Sequence, residues 1–336
     1  MSAQPLVSIV MPTYNRLRFL PATVASIFSQ TLRGWELIVA DDGSDAPARD
    51  YLATLERDER VRVLRLDQSG NPGKRRNDAL AFARAPLVAF MDSDDLWAPQ
   101  KLERQLAALR AQPGCGWCYT AFVVVDAEDT PLPSERHRAW TPYRGDIFDE
   151  VVRGAVSIRT PAVVVSADLL RDVGAFDEAI DCAEDYDLWA RLALRSPICV
   201  VDEPLVRVRR HRSIDVNRIG HAHAARDYSL RKLARQVQGS QRALVNEERS
   251  RNALLQAGMI AAHGKPQRAL AVIFRSLSIG WRYPGWWYGA AKAVGRVALA
   301  TRVPNKLRSN GTASKSVDPI KARLRRRGEE TRTGDR

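Results

Sequence analysis

The chain has 336 residues, 45% of them hydrophobic and 27% charged, with a formal net charge of +13. That length holds one large domain or two modest ones around a sizeable core, and the composition is that of ordinary globular protein. The uncharged run Ala111 to Val125 is short and contains Pro113, and the apolar run Leu6 to Pro12 is too short for a secretory leader. The reading therefore excludes an integral membrane protein and a secreted one, and expects a cytoplasmic location.

In chain order, "LVSIVMP" is a continuous apolar, β-branched run that suits a strand buried on both faces, as in a parallel sheet. In "RLRFLPATVASIFSQT", Leu17, Leu20, Val24, Ile27 and Phe28 fall at helical spacing. The pattern then repeats. "WELIVADDGS" reads as a strand, "APARDYLATLERDE" as a helix, "VRVLRLD" as a strand, "KRRNDALAFARA" as a helix and "PLVAFMD" as a strand. This alternation predicts βαβ units and a mainly parallel sheet flanked by helices, an α/β fold. Ligands of such sheets bind beyond the carboxyl ends of the strands, where "PTYN", "ADDGS" and "MDSDD" should converge. No G-x-G-x-x-G follows the first strand, which argues against a classical dinucleotide site.

A helix, "KLERQLAALRAQ", and a strand, "CYTAFVVVD", come next, followed by a polar excursion from Pro131 to Gly154. "TPAVVVSADLLRDVGAF" reads as a strand and short helix, and "AEDYDLWARLALRS" as a helix with acids in its first turn. Cys115 and Cys118 form a CGWC with the spacing of a redox motif or half a zinc site. With Cys182 and Cys199 read as isolated, buried strand thiols are the preferred account. Past "PICVVDEPLVRVRRHR" the alternation stops and the chain reads as helical. The expected division is a catalytic domain over 1–215, a helical region over 216–303 and a basic, disordered tail over 304–336. His221 and His223, two apart in a helical stretch, point to different faces and make no metal pair.

Four stretches in order, "VSIVMPTYNR", "ELIVADDGSD", "RRNDALAFARAPLVAFMDSDDLWAPQKL" and "VGAFDE" followed by "AEDYDLWARL", resemble glycosyltransferase family 2, the inverting enzymes of GT-A fold. The resemblance covers about Leu6 to Arg212. It implies transfer of a sugar from a nucleotide-sugar donor, UDP-sugar by default, to a hydroxyl acceptor, normally with Mn2+ or Mg2+. It places Pro12, Tyr14 and Asp42 at the nucleoside, with Asp41 as neighbour. Asp92, Ser93 and Asp94 fall on the family's acidic donor motif, Asp94 as the direct metal ligand and Asp92 toward the ribose or the metal's waters. Two aspartates one residue apart at a strand end suit a hard cation that shares its shell with phosphate. Asp95 is read as a turn or cap residue. Arg76 matches an Arg-Asn pair and is expected to hold phosphate or fix Asp94, although Arg75 stands where the family has a small residue. Asp185 matches the base that takes the acceptor's proton, with Glu184 beside it, and a helix amino end is expected to lower their pKa values. His211 matches a loop that closes over the diphosphate and is a further metal candidate. Q-x-x-R-W, the processive signature, is absent.

Two rival functions remain. A nucleotidyltransferase would want a Gly-rich basic loop after the first strand, which "PTYNRLRF" is not, and an RNA-binding protein leaves "DSDD" and "AEDYD" unexplained; no nucleic-acid partner is expected. "YPGWWYGAAKAVGRVALATRVP" and the basic tail are expected either to lie on an anionic membrane surface, as a peripheral protein of cell-envelope polysaccharide or glycolipid synthesis with a lipid-linked acceptor, or to pack on the catalytic domain.

Overall fold

The computed structural model of the protein describes residues 4–132, 141–210, 216–263 and 265–302. By Cα proximity the chain divides into two compact units, residues 1–252 and 253–336.

The first unit is built on β1 (Val7–Thr13), β2 (Trp35–Asp41), β3 (Val61–Arg65), β4 (Leu87–Phe90), β5 (Leu96–Trp97), β6 (Trp117–Val125), β7 (Val163–Ser166) and β8 (Ile198–Arg209). Together they form one sheet in the order β3-β2-β1-β4-β7-β6-β8-β5. β3, β2, β1 and β4 run parallel, as the alternating pattern predicts. β7 is antiparallel to both β4 and β6, and β5 is antiparallel to β8, so the sheet is mixed beyond β4.

Helices α1 (Leu20–Phe28), α2 (Ala46–Leu55), α3 (Pro72–Leu80), α4 (Lys101–Ala111), α5 (Phe148–Arg153), α6 (Ala167–Val173), α7 (Glu184–Arg195), α8 (Val216–Leu233) and α9 (Gly239–Ala262) follow in chain order. Alternate strand residues feed two cores, as the period of two in a strand requires. Val10, Ile38, Val88, Phe90, Val163 and Val165 pack under Leu188, Trp189 and Leu192 of α7. Ile9, Met11, Leu37, Val39 and Ala89 pack under Leu20, Val24 and Ile27 of α1 and Leu102 and Leu106 of α4. Leu230 and Leu233 of α8 and Leu244 and Val245 of α9 join the first core, which is why this unit extends past the division expected near residue 215.

Local signals set the ends of α3. Asn71 caps it by accepting from the Lys74 amide at 2.9 Å, and Pro72 sits at its first position, where a missing N–H costs nothing. Asn71 and Asn77 then pin the helix to the segment that leads into α7. Asn71 donates to the Glu178 carbonyl at 2.9 Å and Asn77 to the Phe176 carbonyl at 2.8 Å, while the Phe176 amide donates back to Asn77 at 3.0 Å.

The second unit contains α10 (Pro266–Gly280) and α11 (Pro284–Arg302) together with the end of α9. Leu254, Ala257 and Ala261 pack with Ala269 and Ile273 of α10 and with Trp286, Ala290 and Ala293 of α11. At Gly280 a Cβ would stand 2.2 Å from Trp286 Cδ1, so only glycine permits this approach of the two helices. The Trp286 indole N–H donates to Ser276 Oγ at 3.0 Å. Among the described residues no helix is long and apolar enough to cross a membrane.

Candidate active site

β1, β2 and β4 are parallel neighbours, and Thr13 and Asp41 pair at the carboxyl end of β1 and β2. The loops leaving these strands therefore meet on one edge, the place where ligands of such sheets bind. They are sewn together: the Asp42 amide donates to the Thr13 carbonyl at 2.9 Å, Ser44 Oγ accepts from the Asn15 amide at 3.0 Å, and Asn15 Oδ1 accepts from the Asp45 amide at 2.8 Å. Asn15 adopts φ +50°, a conformation that asparagine tolerates better than most residues. Tyr14 stands out of this loop with 42% of its surface exposed, beside the half-buried Pro12.

Asp42 is not the open acceptor that the sequence suggests. It is buried and receives the Ser69 amide at 2.8 Å, Ser69 Oγ at 3.0 Å, the Gly70 amide at 2.8 Å and Arg75 Nε at 2.5 Å. Burial would raise its pKa, but the two amides, Arg75 and Ser69 together hold the carboxyl below the usual range. Arg75, also buried, continues to Asp78 at 2.5 Å and to the Asp67 carbonyl at 2.8 Å. The arginine that departs from the family pattern is thus the partner that fixes Asp42 and the 67–70 loop.

Arg76 points the other way. Its Nη2 donates to Asp92 Oδ1 at 2.7 Å and its Nη1 to Glu184 Oε1 at 2.6 Å, so one guanidinium ties the end of β4 to the start of α7. Burial would weaken its charge, but Asp92 and Glu184 outweigh that and raise its pKa. The expectation that Arg76 fixes Asp94 is corrected: its carboxylates are Asp92 and Glu184, and Asp94 instead lies 3.4 Å from Arg16 Nε while its carbonyl accepts from Arg209 at 2.7 Å. Ser93, between the two aspartates, is buried.

Asp95 is neither an exposed turn residue nor a helix cap. It is 3% exposed and accepts the Arg209 amide at 2.7 Å, which anchors the 92–95 loop to the end of β8. Burial, and then the charges of Asp92 and Asp94, push its pKa well above the ordinary value. His211 lies outside the described residues.

Glu184 and Asp185 open α7 directly after Ala183, whose φ of +58° is left-handed and costly for a residue with a Cβ. The helix start does not lower the Asp185 pKa as expected. Burial, then the adjacent Glu184 charge, push it up to about 6 against the pull of Arg76 and of the Tyr186 amide, which donates to Asp185 Oδ1 at 2.8 Å. Asp185 lines a pocket of about 150 Å³ with Ser157, Ile158, Tyr186 and Trp189, while Glu184 is engaged by Arg76.

The carboxylates of Asp92 and Asp94 suit a hard divalent cation. Among the described residues no group of three His, Cys, Asp or Glu side chains could hold a metal. A cation here would therefore complete its shell with non-protein oxygens, the habit of Mg2+ at phosphate sites, and the residues present fit that mode. Two buried polar atoms beside the crevice, Thr13 Oγ1 and Arg76 Nε, have no hydrogen-bond partner among the described residues.

The cysteines are less scattered than their spacing suggests. Cys118 and Cys199 are register partners on β6 and β8 and share a small apolar cluster with Cys115. All are free thiols; burial pushes Cys115 up, and contact with Cys118 followed by burial pushes Cys199 far up. Neither is poised as a nucleophile.

Residues 8–162 match the family model described as glycosyl transferase family 2. A putative teichuronic acid biosynthesis glycosyltransferase, TuaG of Bacillus subtilis, is 33% identical over 156 residues, 46% of this chain and 62% of that one. WfgD of Escherichia coli, a UDP-Glc:alpha-D-GlcNAc-diphosphoundecaprenol beta-1,3-glucosyltransferase, is 38% identical over 104 residues, 31% of this chain and 41% of its own length. The chain thus spans less than two thirds of either relative. Residues 1–349 of S. aureus TarS, solved with UDP-GlcNAc, superpose with a TM-score of 0.63 at 18% identity, over 93% of this chain and 94% of that one. This is a likeness of fold, and it extends the agreement with a GT-A architecture.

Proposed function

We propose, since the chain is a glycosyl transferase family 2 member through residues 8–162, that it moves a sugar from a nucleotide diphosphate sugar to a hydroxyl of an envelope glycan or glycolipid, with inversion. The observation that carries the reading is Arg76, buried between Asp92 and Glu184. It couples the loop expected to meet the donor's diphosphate to the helix that presents Asp185.

Asp185 acts as general base. A carboxylate with a pKa near 6 stays ionised at neutral pH yet is more basic than an ordinary aspartate, which suits removal of a proton from an acceptor hydroxyl. The hydroxyl oxygen then attacks the anomeric carbon from the face opposite the nucleoside diphosphate, the glycosidic C–O bond forms, and the bond to the diphosphate breaks with its electrons. Tyr14 offers its exposed ring to the base, and Asp42 acts through the loop it organises. Asp92 and Asp94 would hold Mn2+ or Mg2+, which would supply positive charge to offset that of the departing diphosphate. The Thr13 hydroxyl and Arg76 Nε, unpartnered among the described residues, are available to the donor.

WfgD and the UDP-GlcNAc complex of TarS support a UDP-sugar donor, WfgD supports a lipid-diphosphate acceptor, and TuaG supports a place in envelope polysaccharide synthesis. The test is a panel of UDP-, dTDP- and GDP-sugars with Mn2+ and diphosphate-lipid acceptors, the product read by NMR. Turnover of a UDP-sugar with inverted configuration is expected; retention of configuration overturns the mechanism.

A further inference from the structure

Residues 1–252 carry 35 basic and 35 acidic side chains, whereas residues 253–336 carry 17 and 4. The whole formal charge of +13 therefore belongs to the second unit, where no acid occurs between Ala253 and Val317. The same unit exposes large apolar side chains. Phe274 is 78% exposed and Trp287 56%, with Trp281, Tyr288, Leu270 and Val294 also open to solvent.

These side chains are organised. Leu270, Phe274 and Leu277 of α10 follow one another at helical spacing and, with Ile273, Trp286 and Val294, line an apolar groove of about 560 Å³. Trp287 and Val294 are seven apart on α11, so the exposed tryptophan leaves the helix on the same side as Val294. Arg268, Arg275 and Lys292 are exposed on the same two helices and Arg282 in the turn between them, with Arg275 at the groove itself. The Trp287 indole is steadied by donating to the Trp281 carbonyl at 3.0 Å, and Lys292 lies 4.3 Å from the Tyr288 ring centre.

Apolar residues rimmed only by cations are the pattern of a helix lying in a lipid headgroup region. Tryptophans settle at that depth and basic side chains reach the phosphates. A nucleic acid would use the cations and the exposed rings but has no use for a groove lined by leucine, isoleucine and valine. A second copy of the chain would set this cationic surface against itself. We propose that the α10–α11 face docks on an anionic membrane, with Phe274, Trp287 and the groove at the acyl boundary and Arg268, Arg275, Arg282 and Lys292 on lipid phosphates. The proposal gives the envelope acceptor a meeting place, but the binding stands whether or not the sugar-transfer reading is right.

The test is flotation of the full-length protein with vesicles of phosphatidylcholine alone or mixed with phosphatidylglycerol. Binding is expected only to the mixed vesicles and should weaken with salt. Phe274→Glu with Trp287→Glu, and separately Arg275→Glu with Lys292→Glu, should each reduce partitioning about tenfold or more. Both variants should keep the wild-type circular dichroism and donor hydrolysis, because these residues lie outside the crevice. Equal retention of wild type and either variant, or no retention of the wild type, overturns the proposal whatever the hydrolysis rate. So does tighter binding to a homopolymeric RNA that the aromatic variant leaves intact, or a dimer in light scattering that the same variant dissolves. Loss of hydrolysis in the wild type with vesicle binding intact would count against the catalytic reading alone.

Discussion

Replacing Asp185 with asparagine should make the protein more stable at neutral pH while removing the group that the chemistry needs. In the fold this carboxyl titrates near 6 rather than at its ordinary 3.8. A folded-state pKa above the unfolded one means that the fold favours the protonated acid. The ionised carboxylate therefore costs stability, not at all below pH about 3.8, progressively between 3.8 and 6, and fully above 6. The difference of about two units corresponds to at most roughly 3 kcal/mol at pH 8. Asparagine keeps the shape and can accept the Tyr186 amide without the charge. Urea denaturation of both proteins at pH 8, repeated toward pH 4, should show the variant ahead by about 2–3 kcal/mol at the upper end and the gap closing at the lower end. A variant equal to or weaker than wild type at pH 8, or a gap independent of pH, would refute the assignment of an uncomfortable buried charge at this position.

The same titration predicts that wild-type kcat/KM falls about tenfold per unit as pH drops below 6, a profile measurable with saturating metal. Arg76→Lys keeps a charge but loses the fork that reaches Asp92 and Glu184 together, so transfer should drop on the order of 100-fold in steady-state kinetics. Arg75→Ala leaves Asp42 buried without its guanidinium and should cost about 3–5 kcal/mol in chemical denaturation. Gly280→Ala drives a methyl into Trp286 and should destabilise the second unit by about 1–3 kcal/mol, seen as a lower melting transition.

The sequence carried much of this arrangement because its signals were local. The apolar runs of β1, β2 and β4, the helical spacing of Leu20, Val24 and Ile27, and acids placed at strand ends all act within a few residues. Strand direction is not written locally, since an apolar run buries equally well either way round, and so the antiparallel β7 stayed hidden. Long-range partners were hidden for the same reason. Asp95 looks solvated beside Asp94 until Arg209, far along the chain, comes to cover it. Cys199 appears isolated until β8 lies beside β6. Arg75 and Asp42 stand far apart in the chain, and only the fold of the 67–70 loop brings them together. Asn77 was legible only as half of an Arg-Asn pair; that it clamps α3 onto the backbone leading to Asp185 needed the structure.

The central claim is that Asp185 removes the acceptor's proton while taking no part in holding the donor. Nucleotide binding by calorimetry and sugar transfer in single turnover, measured side by side on wild type and Asp185→Asn with Mn2+, address it most directly. Equal affinity for the nucleotide and a transfer rate lowered by about 100-fold or more are expected. Transfer at the wild-type rate, or affinity lost in step with transfer, would contradict it.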